Sequence, residues 1–352
     1  MFTIDKRPVG KGYKPFIIAE ISANHNGSIL QAKQIILAAK QSGADAVKLQ
    51  TYTPDTMTIK SNKSDFLISD GLWKGLSLYE LYEIAHTPYE WHKELFDFAR
   101  DCRISIMSTP FDETAVDLLV DLNVAAFKIA SFEITDLPLI DYVSSKGRPV
   151  FLSTGLATLD EISDAIECCY ENNNKNILIF HCISSYPADV IDSSLGDIEY
   201  LSKYFNVEVG LSDHTKSNMA SILAVAKGAS AIEKHLKIKD DHNSPDDAFS
   251  ILPSQLTSLC EDCETAFYAV KSNKLNRTPT ELRNKKFRRS LYFVNDLKKG
   301  KKIDFEDIRR IRPGYGVDPK YFDFVVGKEL LIDVHRGDAV TFDVIKDLEI
   351  DP

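Results

Sequence analysis

Two histidines are placed where they could share one ligand. His214 and His235 lie 21 positions apart, each at the end of a short apolar run. In a parallel barrel the ends of consecutive strands lie side by side, so both imidazoles would meet at one opening. Imidazoles with open coordination positions suit a divalent transition metal that acts as a Lewis acid. The spacing alone is also compatible with two unrelated polar histidines.

Two lysines, Lys48 and Lys128, end apolar runs as well. Hydroxyl side chains lie at comparable positions of other runs: Thr109, Ser131, Ser153 and Ser212. Two cations surrounded by hydroxyl groups suit a small polyanion that carries carboxylate or phosphate. A lysine that forms a Schiff base, as in a barrel aldolase, is the competing interpretation. Separate structural ion pairs would explain the same residues without any chemistry.

Carboxyl groups that could transfer protons or accept hydrogen bonds from hydroxyls occur in the same regions. They are Glu20, Glu133 and Asp246. Tyr186 lies in a Ser-Ser-Tyr-Pro segment that follows a later apolar run, from which its side chain could reach a ligand.

Eight apolar runs would have to position these side chains. They are Phe16–Ile21, Ala46–Thr51, Ser105–Pro110, Ala126–Ser131, Pro149–Thr154, Ile177–Cys182, Val207–Asp213 and Ala231–Leu236. Segments with helical spacing of apolar residues, such as Ser28–Ser42 and Pro88–Asp101, separate them. Alternating strands and helices predict a parallel sheet. Polar ends on all eight strands predict the mouth of an α/β fold, the (β/α)8 TIM barrel, where active sites lie.

The segments that connect the predicted strands, and the residues that follow the last one, indicate a binding loop and a second domain. A long polar segment from Tyr52 to about Leu76 follows the second run, and connections of this length are often lids or binding loops. After Ser272 the pattern changes to short strand-like pieces separated by glycines. We predict a barrel over residues 1–272, a linker over 273–289 and a small β-rich domain over 290–352.

Composition excludes several classes of protein. The 352 residues carry a formal net charge of −10, whereas a general nucleic-acid binder needs a basic face. No stretch is long and apolar enough to span a bilayer, and the first residues lack the apolar core of a signal peptide. We therefore expect a cytoplasmic protein that binds neither nucleic acid nor membrane.

Several motifs taken together resemble those of the sialic acid (nonulosonic acid) synthase family. They are Ala19–Gly27, Val47–Gln50, Ser108–Phe111, Phe127–Glu133, Leu152–Gly155, Gly210–Thr215, Glu233–His235 and Arg312–Gly314. The resemblance extends over the whole chain. It implies condensation of phosphoenolpyruvate with an amino sugar in its aldehyde form, with release of phosphate. It also implies a C-terminal antifreeze-like (SAF) domain of the β-clip type.

The resemblance further implies roles for individual residues. Those that would hold phosphoenolpyruvate are Lys48, Thr109, Lys128, Ser131, Ser153 and Ser212. Those that would face the sugar are Gln50, Glu133, Tyr186 and Asp246. His214 and His235 would bind Mn²⁺, or else Mg²⁺ or Co²⁺, and Glu20 would lie near the catalytic water. In the family's domain-swapped homodimer, Arg312 would reach the sugar in the barrel of the partner subunit.

Two segments bear on the choice of sugar. Ser184–Pro187 and Arg312–Pro319 depart from the pattern of N-acetylneuraminate synthases. Together with Gln50–Thr56, Leu72–Gly75 and Ala85–Trp91 they resemble the pseudaminic acid synthase branch. Its sugar is 2,4-diacetamido-2,4,6-trideoxy-altrose. Legionaminate synthase, N-acetylneuraminate synthase and a Schiff-base aldolase remain the alternatives, and the role of Ser184 stays open.

Overall fold

The computed structural model describes residues 1–240, 244–271 and 277–346. The chain divides into two compact units, Met1–Ser272 and Asn273–Pro352.

The first unit is built around a closed barrel of eight parallel strands, which confirms the predicted architecture. A short antiparallel hairpin, β1 (Phe2–Ile4) and β2 (Arg7–Val9), precedes it. The barrel strands are β3 (Phe16–Glu20), β4 (Ala46–Thr51), β5 (Ser105–Pro110), β6 (Phe127–Ile129), β7 (Val150–Ser153), β8 (Ile177–Cys182), β9 (Glu208–Asp213) and β10 (Ala231–His235). Strand β10 pairs with both β9 and β3, which closes the ring.

Helices follow the strands; most cover the outside of the sheet, whereas the two at Pro54–Met57 and Leu78–Ala85 lie in the connection after β4 and contribute to a cavity lining. They are α1 (Ile29–Gln41), α2 (Pro54–Met57), α3 (Leu78–Ala85), α4 (Tyr89–Asp101), α5 (Glu113–Asp121), α6 (Leu137–Ser145), α7 (Leu159–Glu171), α8 (Gly196–Phe205), α9 (Met219–Ala226) and α10 (Pro253–Val270). Side-chain caps set several starts: Ser28 accepts a hydrogen bond from the backbone of α1, and Thr158 forms a capping box with Glu161 in α7.

Side chains along each strand point alternately to the outside of the barrel and to its interior, and each side has its own apolar core. Apolar side chains that point outward, such as Val47 and Leu49 on β4, pack with the helices. In the lower interior, Phe16, Phe151 and Phe180 form a second core with Phe2 of the hairpin. The hairpin was not predicted, because its three-residue strands are too short to show a pattern. It fills the N-terminal end of the barrel and leaves the other end for polar groups.

The second unit has its own apolar core, which includes Leu291, Phe293 and Val340. Its strands β11 (Ser290–Phe293) and β12 (Ile308–Ile311) pair antiparallel, and α12 (Phe322–Val325) follows them. Among the short strand-like pieces after Ser272, the one at Glu329–Leu331 takes part only in isolated bridges. Part of the predicted linker is helical. Helix α11 (Pro279–Arg283) lies within it, and the side chain of Thr278 caps its start.

Within the described residues, no helix has both the length and the apolar character needed to cross a membrane.

We predict that Gly210→Ala lowers the free energy of unfolding by about 1–3 kcal/mol, as overpacked cores do. A Cβ at position 210 would lie 2.7 Å from the Phe180 ring and 2.7 Å from the Ala231 carbonyl oxygen. Urea denaturation would measure the change. Gly196→Ala is the matched control, because a Cβ there meets no atom within 4 Å. Equal stability of both variants would contradict this packing argument.

Candidate active site

A cavity of about 410 Å³ opens at the C-terminal ends of the barrel strands. Most of the residues predicted from the sequence line it: Lys48, Gln50, Thr109, Lys128, Ser131, Glu133, Ser153, Tyr186, Ser212, His214, His235 and Asp246. They come together because successive interior positions of parallel strands end at the same rim.

Lys48 lies at the floor of this cavity and is 4% exposed. Its Nζ is 2.6 Å from Oε2 of Glu20 and donates a hydrogen bond of 3.0 Å to Oγ1 of Thr109. Burial alone would lower the pKa of Lys48, but the carboxylates of Glu20 and Glu233 outweigh it and raise that pKa. Lys48 is therefore held in its charged form.

Lys128 lies across the floor and is 2% exposed. Its Nζ donates to Oγ of Ser153 at 2.5 Å and lies 5.1 Å from the centre of the Phe180 ring. Burial lowers the pKa of Lys128, and the charge of Lys48 lowers it further. The nearest carboxylate, Glu233, opposes this effect but does not cancel it.

Glu233 connects the two lysines and is the main residue whose role sequence reasoning missed. Its carboxylate oxygens lie 3.9 Å from Nζ of Lys48 and 3.6 Å from Nζ of Lys128. Ser212 donates a hydrogen bond of 3.0 Å to it. The available signal was the two-residue period of β10, which places Glu233 on the same side as His235.

The histidines lie at the cavity wall with ring centres 5.5 Å apart. Nδ1 of His214 lies 3.1 Å from the carbonyl oxygen of Ile183, which can only accept, so Nδ1 carries the proton and Nε2 keeps a free lone pair. Nδ1 of His235 is buried without a hydrogen-bond partner, 3.7 Å from Oδ2 of Asp246. Burial lowers the pKa of both imidazoles, so both are neutral, as metal ligands must be.

These two rings fit a divalent cation only with help from other ligands. Among the described residues, no group of three or more His, Cys, Asp or Glu side chains is arranged to hold a metal. Two imidazoles with free ring nitrogens would leave the remaining coordination positions open for water and substrate oxygens, which is the arrangement of a catalytic site.

Polar groups on the rest of the wall are suited to a ligand with several hydroxyl or amide groups. Gln50 donates to Oγ of Ser22 at 2.9 Å, and Oγ of Ser131 lies 3.0 Å from Oγ of Ser184. A Cβ on Gly155, whose φ is +43°, would lie 2.3 Å from the Cβ of Ser131. Glycine at this position therefore allows the loops after β6 and β7 to approach each other.

Some polar residues at strand ends lie elsewhere. Glu20 is fully buried behind Lys48 and does not line the cavity. His181 faces outward, 2.7 Å from the carbonyl oxygen of Ser193. Lys234 also faces outward, where it forms a 2.7 Å ion pair with Asp213. Arg312 belongs to the second unit, where it is exposed and follows β12.

We predict that Glu133 titrates near neutral pH. Burial raises the pKa of Glu133 to about 7. Burial also raises the pKa of Glu20, but the charge of Lys48 opposes that shift. Glu133 is mostly protonated below pH 7 and ionised above it. NMR titration of side-chain ¹³C-labelled glutamate should show a midpoint near 7, and Glu133→Gln should remove it. A midpoint for Glu133 near the ordinary value of about 4.3 would contradict the burial argument.

Comparisons with known proteins agree with the resemblance in the motifs. The NeuB family model matches residues 35–274, and the SAF domain model matches residues 288–346. The chain is 41% identical over 327 residues to a pseudaminic acid synthase of Campylobacter jejuni, covering 93% of this chain and 95% of that protein. It is 42% identical over 316 residues to a pseudaminic acid synthase of Helicobacter pylori, covering 90% and 93%.

A solved structure extends this similarity to the fold. The N-acetylneuraminic acid synthetase of Leptospira borgpetersenii superposes with a TM-score of 0.72 at 28% identity, covering 80% of this chain and 94% of that one. Family model, relatives and fold agree with the expected barrel and SAF domain. The chain therefore belongs to the NeuB family and carries a SAF domain after its barrel.

Proposed function

We propose that this protein condenses phosphoenolpyruvate with 2,4-diacetamido-2,4,6-trideoxy-altrose to give pseudaminic acid and phosphate. The observation that carries the proposal is the pair of buried lysines, with hydroxyl groups around them, on the floor of a cavity that also holds two neutral imidazoles. The names of the Campylobacter and Helicobacter relatives support the choice of sugar.

Phosphoenolpyruvate binds at the cavity floor in this proposal. Lys48 and Lys128 supply charge, and the surrounding hydroxyls of Thr109, Ser131, Ser153 and Ser212 supply hydrogen bonds to carboxylate and phosphate oxygens. Charge-assisted hydrogen bonds of this kind are stronger than neutral ones. Before the substrate arrives, Glu233 offsets the mutual repulsion of the two ammonium groups.

His214 and His235 are the proposed ligands of a divalent cation, Mn²⁺ or a similar ion. When bound there, such a cation supplies Lewis acidity that polarises the carbonyl group of the sugar aldehyde. Asp246 lies beside the ring of His235, with its Oδ2 3.7 Å from Nδ1. Gln50, Glu133 and Tyr186 line the same cavity and face the sugar.

The chemistry makes one carbon–carbon bond and breaks one carbon–oxygen bond. C3 of phosphoenolpyruvate attacks the aldehyde carbon, and the aldehyde oxygen gains a proton to become a hydroxyl. Water adds to C2 and loses its protons, and phosphate leaves from C2 with the bridging oxygen. Lys48 and Lys128 stabilise the anionic groups throughout. We place Glu20 behind Lys48, where it keeps that lysine charged.

One observation favours the Schiff-base aldolase as a second candidate. The pKa of Lys128 is lowered by burial, and lysines that form Schiff bases are activated in this way. Borohydride reduction in the presence of substrate distinguishes the two mechanisms. A trapped lysine adduct would support the aldolase, whereas phosphate release without an adduct supports the condensation.

Release of phosphate from phosphoenolpyruvate tests the proposed function directly. Purified protein with Mn²⁺ is offered the diacetamido-trideoxy-altrose, its manno isomer and N-acetylmannosamine in parallel assays. We expect turnover with the altrose compound alone. Turnover with another sugar would keep the reaction and change the substrate, and absence of turnover with all three would overturn the proposal.

Replacement of one histidine tests the cation site. We expect His235→Ala to weaken Mn²⁺ binding by more than about tenfold, measured by calorimetry, and to abolish turnover without unfolding the barrel. His335→Ala is the control, because His335 is exposed in the second unit and 72% of its side chain is accessible. Near-normal turnover of His235→Ala after chelator treatment would show that the assignment is wrong.

We also propose a homodimer in which Arg312 reaches the sugar in the barrel of the partner subunit. The family resemblance supports this arrangement. Arg312 is also exposed, and no described residue forms an ion pair with it.

Mixing two inactive variants, Arg312→Ala and Lys128→Ala, tests the shared site. Each hybrid dimer would hold one intact site, so a random 1:1 mixture should recover about one quarter of the wild-type activity. A mixture that stays inactive although subunit exchange is demonstrated would contradict the cross-subunit role.

A further inference from the structure

One apolar part of the cavity lining comes from a single connection of the chain. The segment between β4 and α4 contributes Met57, Trp73, Leu81 and Ala85 to the lining, and we refer to these four residues as the apolar wall; Tyr52 and Tyr82 of the same segment add hydroxyl groups beside it. The polar residues of the lining come mainly from strand ends and from the loops after β6, β8 and β10. Phe111, Phe132 and Phe249 add apolar surface from the loops after β5, β6 and β10, so the connection after β4 is one of several apolar parts of the lining.

Trp73 is held on a small hairpin within that connection. Leu67 and Ser77 form an antiparallel bridge, and the backbone N–H of Ile68 donates to the carbonyl oxygen of Leu76 at 2.9 Å. Gly71 and Gly75 have φ values of +79° and +98°, which the turns before and after Trp73 require. The hairpin thus fixes the direction in which the indole points.

Two contacts tie the indole to the polar side of the site. Nε1 of Trp73 donates a hydrogen bond of 3.1 Å to the carbonyl oxygen of Pro245, the residue before Asp246. The indole ring centre lies 6.0 Å from that of Tyr186, whose own ring centre lies 4.5 Å from that of His214. Trp73 is therefore separated from His214 by the ring of Tyr186, so in the proposed function it borders the sugar away from its aldehyde carbon.

The chemistry of the wall determines what can face it. The indole N–H is already used by Pro245, and the side chains of Met57, Leu81 and Ala85 carry no hydrogen-bond donor. A sugar hydroxyl placed against this surface would lose hydrogen bonds to water without gaining a full set in return. A methyl group at the same place would instead gain by leaving water.

We infer that Trp73 and the apolar wall select a deoxy sugar, by covering the C6 methyl group that an ordinary hexose replaces with a hydroxymethyl group. This inference rests on the proposed function and adds to it the residue that discriminates between sugars. An apolar pocket rejects an analogue with one additional hydroxyl by about 10² at most. The expected selectivity of the wild-type enzyme is therefore limited to about that factor.

A matched pair of sugars isolates this effect. The assay compares kcat/KM for 2,4-diacetamido-2,4,6-trideoxy-altrose with that for its 6-hydroxy analogue, so that only one oxygen differs. In Trp73→Ala we expect kcat/KM for the deoxy sugar to fall by about 10- to 100-fold, while the value for the 6-hydroxy analogue changes by less than about threefold. The KM for phosphoenolpyruvate should stay unchanged.

One further variant tests whether the selectivity depends on the aromatic face of Trp73 or on its hydrogen bond to Pro245, and a second variant is a control. Trp73→Phe keeps an aromatic face but cannot donate to Pro245, and it should retain most of the selectivity. Leu72→Ala is the control on the same hairpin, because Leu72 is 50% exposed and does not line the cavity. It should behave like the wild type.

The outcomes are distinguishable. An equal loss for both sugars in Trp73→Ala, or a raised KM for phosphoenolpyruvate, would overturn the inference while leaving the proposed function intact. If the wild-type enzyme does not use the altrose sugar at all, the proposed function fails and the inference fails with it. If the ratio of the two kcat/KM values falls toward one in Trp73→Ala but not in Trp73→Phe or Leu72→Ala, the apolar wall is the surface that discriminates between the sugars.

Discussion

Burial of two ammonium groups is the constraint on which the rest of this structure depends. Removing a lysine from water costs several kcal/mol unless a carboxylate and hydrogen bonds compensate for it. Glu20 and Glu233 provide that compensation from neighbouring strands, with Thr109 and Ser153 as hydrogen-bond acceptors. The result is that Lys48 stays charged although it is almost fully enclosed, whereas burial still lowers the pKa of Lys128. An enclosed, charged floor binds anions more strongly than the same groups would in water.

The fold accommodates these charges by dividing the barrel interior into two halves. Below the lysines, Phe151, Phe180 and the hairpin residue Phe2 fill the interior, and Gly210 leaves room for the Phe180 ring. Above them, strands end in groups that hydrogen-bond to one another or face the cavity. The same burial that makes the lysines costly keeps the imidazoles of His214 and His235 neutral. Burial thus accounts for both the strength of the proposed anion site and the neutral state of the two candidate metal ligands.

Apolar runs predicted the barrel well, because segments of helical spacing separate them and each run has a polar residue at or next to its end. They predicted which residues meet, since interior positions of parallel strands share one rim. They did not separate the inward side chains of Glu233 and His235 from the outward Lys234, whose ion pair with Asp213 lies outside the barrel. That distinction requires the strand register, because a shift of the register by one residue exchanges the two faces.

The contacts of Trp73 were also beyond sequence reasoning. The long connection after β4 suggests a binding loop from its length, but no local pattern indicates that an indole would reach Pro245 and Tyr186. Those contacts join segments more than a hundred residues apart and follow from the closed barrel. The short hairpin at the N-terminus was missed for a similar reason, since its role depends on the interior that it fills.

Binding of phosphoenolpyruvate in the absence of sugar is the measurement that tests the central claim most directly. Calorimetry would compare the wild type with Lys128→Met, which keeps the length of the side chain but removes its charge. Loss of one charge-assisted hydrogen bond should weaken binding by about 10- to 100-fold. Lys93→Met, at a side chain that is 77% exposed, should leave the affinity unchanged. Unchanged affinity in a folded Lys128→Met variant would show that the buried lysines are structural and that the anion binds elsewhere.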